Sequence, residues 1–186
     1  MGMDVYGLNP VILGVKPEID WANSTEEERE QYNKDLDNWE NNNPGFYFRA
    51  NLWSWRPIHL VINSVITMKE LDYDTSLFGE NSGGGFKTQE ECDNIADGID
   101  EIINELEIKD KDTLYLNLGM WISWDGKFEI PDDIQEELNA ETKKDFVSGP
   151  IVASNGQLVV PAHSVDIDHL KEFVNFLRHC GGFEIW

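Results

Sequence analysis

The chain has 186 residues, 36 of them Asp or Glu against 14 Lys or Arg, for a formal net charge of −22. That balance opposes nucleic-acid binding, which takes a basic stripe to displace counterions, and it opposes anionic membrane surfaces. Hydrophobic residues make up 40% and aromatics 11%, enough for a core, so low-complexity disorder is excluded as the default and the length suits one domain over residues 1–186.

In chain order, Met3 and Val5 alternate with Asp4 and Tyr6 before Gly7 and Asn9-Pro10, which predicts a short strand and a turn. Ser24-Thr25-Glu26-Glu27 has capping-box spacing, with Ser24 as N-cap and Glu27 at the third helical position. The predicted helix runs to about Glu40, with Tyr32, Leu36 and Trp39 as a narrow apolar stripe, and Asn41 to Gly45 ends it. Phe46-Tyr47-Phe48 reads as extended. Pro57 suits a first helical turn, and the run from Ile58 to Met68 is apolar nearly all round, which predicts a central buried helix. A loop from Leu71 to Phe86 leads to a second capping box, Thr88 to Glu91. The helix behind it carries Cys92, Ile95, Ile99, Ile102, Ile103 and Leu106 on one face and acidic residues on the other.

From Thr113 the even positions are apolar through Leu114, Leu116, Leu118, Met120, Ile122 and Trp124. Asp125-Gly126 predicts a hairpin that resumes at Phe128 and Ile130. A polar helix is expected over Pro131 to Phe146, then a hairpin around Asn155-Gly156. Asp166 is expected to cap a last helix with Leu170, Phe173, Val174 and Leu177 on its face, and Gly181 to supply its left-handed stop. The chain closes on an alternating strand near Ile185. Residues 107–163 read as a hairpin-rich insertion between two amphipathic helices. Strands and helices mix without regular alternation, which predicts an α+β fold with three main helices on a small sheet that includes both terminal strands.

The N-terminal stretch lacks the pattern of a secretory signal and, with Tyr6 at position 6, that of a myristoylation site; no roughly 20-residue apolar window occurs. A cytoplasmic protein is the expectation. Cys92 and Cys180 are distant in sequence and are expected as two buried thiols rather than a disulfide framework.

Motif chemistry is sparse. Gly83-Gly84-Gly85-Phe86-Lys87-Thr88 falls short of a phosphate-binding loop, because Phe86 stands where the last glycine belongs. A weaker reading keeps Gly83, Gly84, Gly85, Lys87 and Thr88 as an anion loop at a helix N-terminus, opposed by Glu90 and Glu91 in the first turn. His59, His163, His169 and His179 form no metal-ligand spacing, so no metal and no cofactor are expected. No nucleophile elbow occurs, and the leaning is away from an enzyme.

One contrast stands out. Asn41 to Lys69 holds Arg49, Arg56, two tryptophans and three other aromatics, and no acidic residue. In an extended segment, Arg49, Asn51, Trp53 and Trp55 would share a face. With Arg56 they form a candidate ligand site, since Trp stacks on planar groups and Arg clamps phosphate or carboxylate. The other reading makes the arginines structural, paired with carboxylates, while the tryptophans plug the core.

Three segments resemble an uncharacterised family of small bacteriophage proteins, cyanophage members included. They are Met1 to Gly7, Tyr47 to Pro57, and Cys180 to Trp186; the segment from about Asn81 to Ile103 is similar too, while 107–163 is not covered. The resemblance implies a viral accessory protein in the host cytoplasm and carries no catalytic role. Three functions stay open: a binder that modulates a host protein, a small-molecule or nucleotide binder using the Arg/Trp site, and an acidic mimic of nucleic acid. Composition sets no oligomeric state.

Overall fold

The two chain ends meet in one sheet. In a computed structural model describing residues 2–142, 146–147 and 149–186, β1 (Gly2–Gly7) pairs antiparallel with β2 (Tyr47–Asn51) on one side and with β7 (Phe183–Ile185) on the other. Val5 sits opposite both Phe48 and Ile185, and all three are buried. The expected membership of both terminal strands in one sheet holds.

Between them come α1 (Glu26–Asn42), α2 (Leu52–Met68) and α3 (Gln89–Ile108). A second antiparallel sheet follows, built from β3 (Thr113–Ser123), β4 (Phe146–Val147), β5 (Ile151–Val152) and β6 (Leu158–Asp166) in the order β4-β3-β6-β5. The helix α4 (Asp132–Glu141) lies within it and α5 (Ile167–Leu177) comes after it. The fold is α+β. The main core joins α2, α3 and α5 to the terminal sheet through residues such as Trp55, Ile62, Ile99, Phe173 and Phe183. A smaller core under the second sheet centres on Trp121, Leu138 and Val159.

Several local expectations shift. The first capping box is Thr25 with Glu28, one residue later than predicted. The repeated Glu run satisfies the spacing in either frame, and Ser24 is taken by Arg29, whose Nε donates to its Oγ at 3.0 Å. The box at Thr88 and Glu91 forms as predicted. The helix α2 starts five residues before Pro57, because the Asn51 side chain accepts from the amides of Trp53 and Ser54 at 2.9 and 3.0 Å and caps it there. Pro57 therefore lies inside the helix, where it has no N–H to offer the Trp53 carbonyl. The run from Ile58 to Met68 is the buried helix expected, with Ile58, Val61, Ile62 and Val65 in the core and exposure confined to its end at Thr67 and Met68.

The largest correction is in β3. Leu114 and Leu116 point into the core, but Leu118, Met120, Ile122 and Trp124 are exposed, and Trp121 and Ser123 are buried instead. Leu116 pairs with His163 and Trp121 with Pro161, so β3 spends five residues where β6 spends two. The irregularity contains Gly119, with φ of +83°, and α4 secures it: Gln135 accepts from the Trp121 amide, and Asn139 donates to the Gly119 carbonyl and accepts from the Trp121 indole. An odd number of extra residues inverts the alternation. Asp125-Gly126 does turn the chain, but β3 finds its partner in β6 and no strand resumes at Phe128. The predicted extension of α4 to Phe146 crosses residues 143–145, outside the described residues; α4 itself ends at Glu141. The Asn155-Gly156 hairpin joins β5 to β6 as expected. Asp166 stands at the N-cap of α5 but makes no side-chain cap, and Gly181, left-handed at φ +64°, lies beyond the helix end and turns the chain towards β7.

Cys92 and Cys180 are both fully buried, and their Sγ atoms lie 3.5 Å apart. The hydrogen bond with the neighbouring Cys180 thiol, and then burial, push Cys92 well above its ordinary pKa. Among the described residues, no helix is long and apolar enough to cross a membrane.

His59 gives the fold a pH dependence. Its ring packs 5.7 Å from Phe78 and its Nε2 is buried without a partner. Burial lowers its pKa below the usual 6.5, and a backbone contact at Thr75 offsets only part of that. The unfolded chain therefore binds the proton more readily, and stability falls as pH drops below about 6.5. His59→Gln is expected to reduce the slope of the urea midpoint between about pH 5 and 6.5, leaving the share that His163 contributes, in a range above the ordinary carboxylate titrations. A wild-type midpoint that does not move over that range contradicts this.

Candidate functional site

The strand β2 ends at Asn51 and α2 begins at once, so the five residues singled out by sequence do not share one extended face. Arg49 is on β2 and exposed. Asn51 is the cap. Trp55 turns inward, 1% exposed, its indole donating to the Phe78 carbonyl at 2.6 Å and its ring edge-on to Phe173. Trp53 turns outward and is 68% exposed. The Arg56 guanidinium lies 5.6 Å from the Trp53 ring centroid, and His163 lies near-parallel to that ring at 6.5 Å. Burial, and then the charge of Arg56, lower the pKa of His163. Four of the five residues thus stay at the surface at the start of α2, while Trp55 belongs to the core.

Arg49, Asn51 and Ser54 form one wall of a groove of about 1160 Å³. The rest of the lining comes from far along the chain: Glu107 in the last turn of α3, Lys111 and Asp112 after it, and Ser164 to His169 where β6 passes into α5, with Lys171 and Glu172. Some of the charges there are matched. Lys171 pairs with Glu107 at 2.6 Å and His169 with Glu172 at 3.2 Å, and Asp166 accepts from Thr113 at 3.2 Å. Asp166 makes no capping bond, so the first-turn amides of α5 at the groove have no cap from its side chain.

Arg49, Arg56 and Lys111 form no salt bridge among the described residues. Arg178 supplies the contrast. It lies against α3 and reaches Asp97 and Asp100 at 2.7 and 2.8 Å, with Asp93 at 3.8 Å. The structural role open to an arginine in an acidic chain is filled by Arg178, which the sequence pattern did not single out. The rest of the groove's lining was missed as well. In the sequence Asp166 reads only as a cap, and no spacing links residues 164–172 to Arg49.

The glycine loop has a structural use. The Gly83 amide donates to the Ile185 carbonyl, and the Gly84 and Phe86 carbonyls accept from Ile185 and Phe183, so the loop lies along β7. A Cβ on Gly85 would stand 2.0 Å from the Phe183 carbonyl oxygen. The amides of Lys87 and Thr88 both donate to Glu91, and the Lys87 ammonium reaches the Gly83 carbonyl at 3.4 Å. The donors an anion would use are already engaged, with a carboxylate in the anion's place. Among the described residues, no group of three or more His, Cys, Asp or Glu converges as a metal site.

No protein-family model, curated protein or solved structure matches the chain.

Proposed function

We propose that this protein binds a polar ligand in the Arg49 groove, with Trp53 and Arg56 beside it. The observation that carries the reading is Arg49 itself. In a chain with 36 carboxylates it lines the groove without an ion pair among the described residues, although Arg178 shows how readily an arginine here finds three. An anionic group suits Arg49, and a remainder rich in hydroxyl or amine donors suits Asp112, Asp166 and Asp168 in the same lining. A thermal-shift panel of nucleotides, sugar phosphates and amino acids tests this. A ligand at 100 times its dissociation constant adds about 2.7 kcal/mol of stability, and Arg49→Ala is expected to remove the shift while leaving the unliganded melting temperature within about 1 °C. A panel that leaves the wild-type melting temperature unchanged overturns the proposal.

A second reading makes the chain a non-enzymatic modulator of a host protein. The phage resemblance of its ends and middle block supports it, and so does the apolar sheet face described next. Mimicry of nucleic acid gains no such support. The acidic residues are shared among α1, α3 and α4 rather than gathered on one element.

A further inference from the structure

We infer that the outward face of the second sheet docks a protein partner whose apolar contact surface carries Lys or Arg. An antiparallel sheet with one face on the core normally turns polar residues to water. Here the register does the opposite. Val152 pairs with Leu158, the Trp124 amide donates to the Leu158 carbonyl, and Ile122 pairs with Val160, with Met120 two residues before it. Side chains alternate along each strand, so these six lie on one face. Val160 at their centre is 3% exposed, and the other five are 41% to 69% exposed. The three extra residues around Gly119 bring Met120, Ile122 and Trp124 to this face. A contiguous apolar patch of this kind marks an interaction surface.

The sign of the partner comes from the end of the patch. Trp124 and Tyr115, with ring centroids 6.1 Å apart, line a cavity of about 510 Å³ together with Glu107, Asp110 and Asp112, against Lys111 as the one cation among the described residues. Aromatic faces beside carboxylates receive a guanidinium or an ammonium. A second copy of this chain fits poorly, since it brings a further −22 of net charge. The occupant is therefore a different protein, cationic and apolar. Glu107, Lys111 and Asp112 border the Arg49 groove as well, but Asp110, Trp124 and the apolar face lie outside it.

The test measures binding of three synthetic peptides in near-physiological salt, followed by tryptophan fluorescence and calorimetry. One is an amphipathic helix of leucine and lysine, one has serine in place of leucine, and one has glutamate in place of lysine. The leucine–lysine peptide is expected to bind at least about tenfold tighter than the serine–lysine peptide, and the leucine–glutamate peptide not at all. Ile122→Ser with Trp124→Ser is expected to weaken the first peptide about tenfold or more, as is Asp110→Asn with Asp112→Asn. A control on α1, Glu26→Gln with Glu27→Gln, leaves binding unchanged. Leu158→Ser stands in if the first pair fails to fold by circular dichroism. Equal binding of the two lysine peptides, an Ile122/Trp124 variant that binds like wild type, or a control that weakens binding as much as the site variants overturns the inference. So does a wild-type dimer that Ile122→Ser dissociates, because the face would then belong to a second copy.

Discussion

Gly45→Ala is expected to destabilise the protein by about 3–5 kcal/mol, a loss at the upper end for single substitutions. The reason is space alone, since Gly45 does not use the left-handed backbone region. A Cβ there would lie 2.0 Å from the His179 carbonyl oxygen and 2.8 Å from the Cys180 amide nitrogen. Those are backbone atoms and cannot rotate away. They are also tied down on every side. The Gly7 amide donates to the Phe46 carbonyl, the Asn9 amide to the Cys180 carbonyl and the Leu8 amide to the Gly182 carbonyl. The end of β1, the turn into β2 and the approach to β7 are stacked backbone to backbone at this point, so a shift in one strains all three. Urea denaturation reads the effect. Gly149→Ala, where the added Cβ meets nothing within 4 Å, serves as the control and is expected to fall within about 0.5 kcal/mol of wild type. A Gly45→Ala loss below about 1 kcal/mol would mean that the three segments are not packed this closely.

What the sequence could reveal follows from the range of the interactions involved. Helix α3 was legible because its signals are local. The capping box at Thr88 and Glu91 and the 3.6-residue stripe from Cys92 to Leu106 all lie within one helix. The Asn155-Gly156 turn is local too. By contrast, β3 misleads. Its even-numbered apolar positions continue unbroken from Leu114 to Trp124, and only the pairing with β6 and the support of Gln135 and Asn139 invert them at Gly119. That inversion is the origin of the exposed apolar face, which therefore cannot be read from alternation. The groove was half legible. Arg49 and Asn51 belong to the block that stands out by composition, whereas Lys111, Asp112, Ser164 to His169 and Lys171 join them only through tertiary packing. Likewise, Asn51 looked like a ligand contact because its cap depends on where β2 stops.

The two tryptophans of the central block are expected to separate completely under substitution. Trp55→Ala removes a fully buried ring packed on Phe173, and it also leaves the Phe78 carbonyl without its indole donor. Cavity formation at a buried aromatic costs about 3–5 kcal/mol, and the orphaned carbonyl adds to that. Trp55→Phe keeps most of the volume but not the donor, and is expected to lie between the alanine variant and wild type, at about 1–3 kcal/mol. Trp53→Ala removes a side chain that touches mainly solvent, Arg56 and His163, and is expected to change stability by no more than about 1 kcal/mol. It does, however, free Arg56 from its stacked position, so ligand shifts in the groove panel respond to Trp53→Ala where folding does not. Paired urea titrations of the three variants decide the matter. If Trp53→Ala destabilises as much as Trp55→Ala, the outward tryptophan is part of the core, and the arginines beside it lose their claim to a surface site.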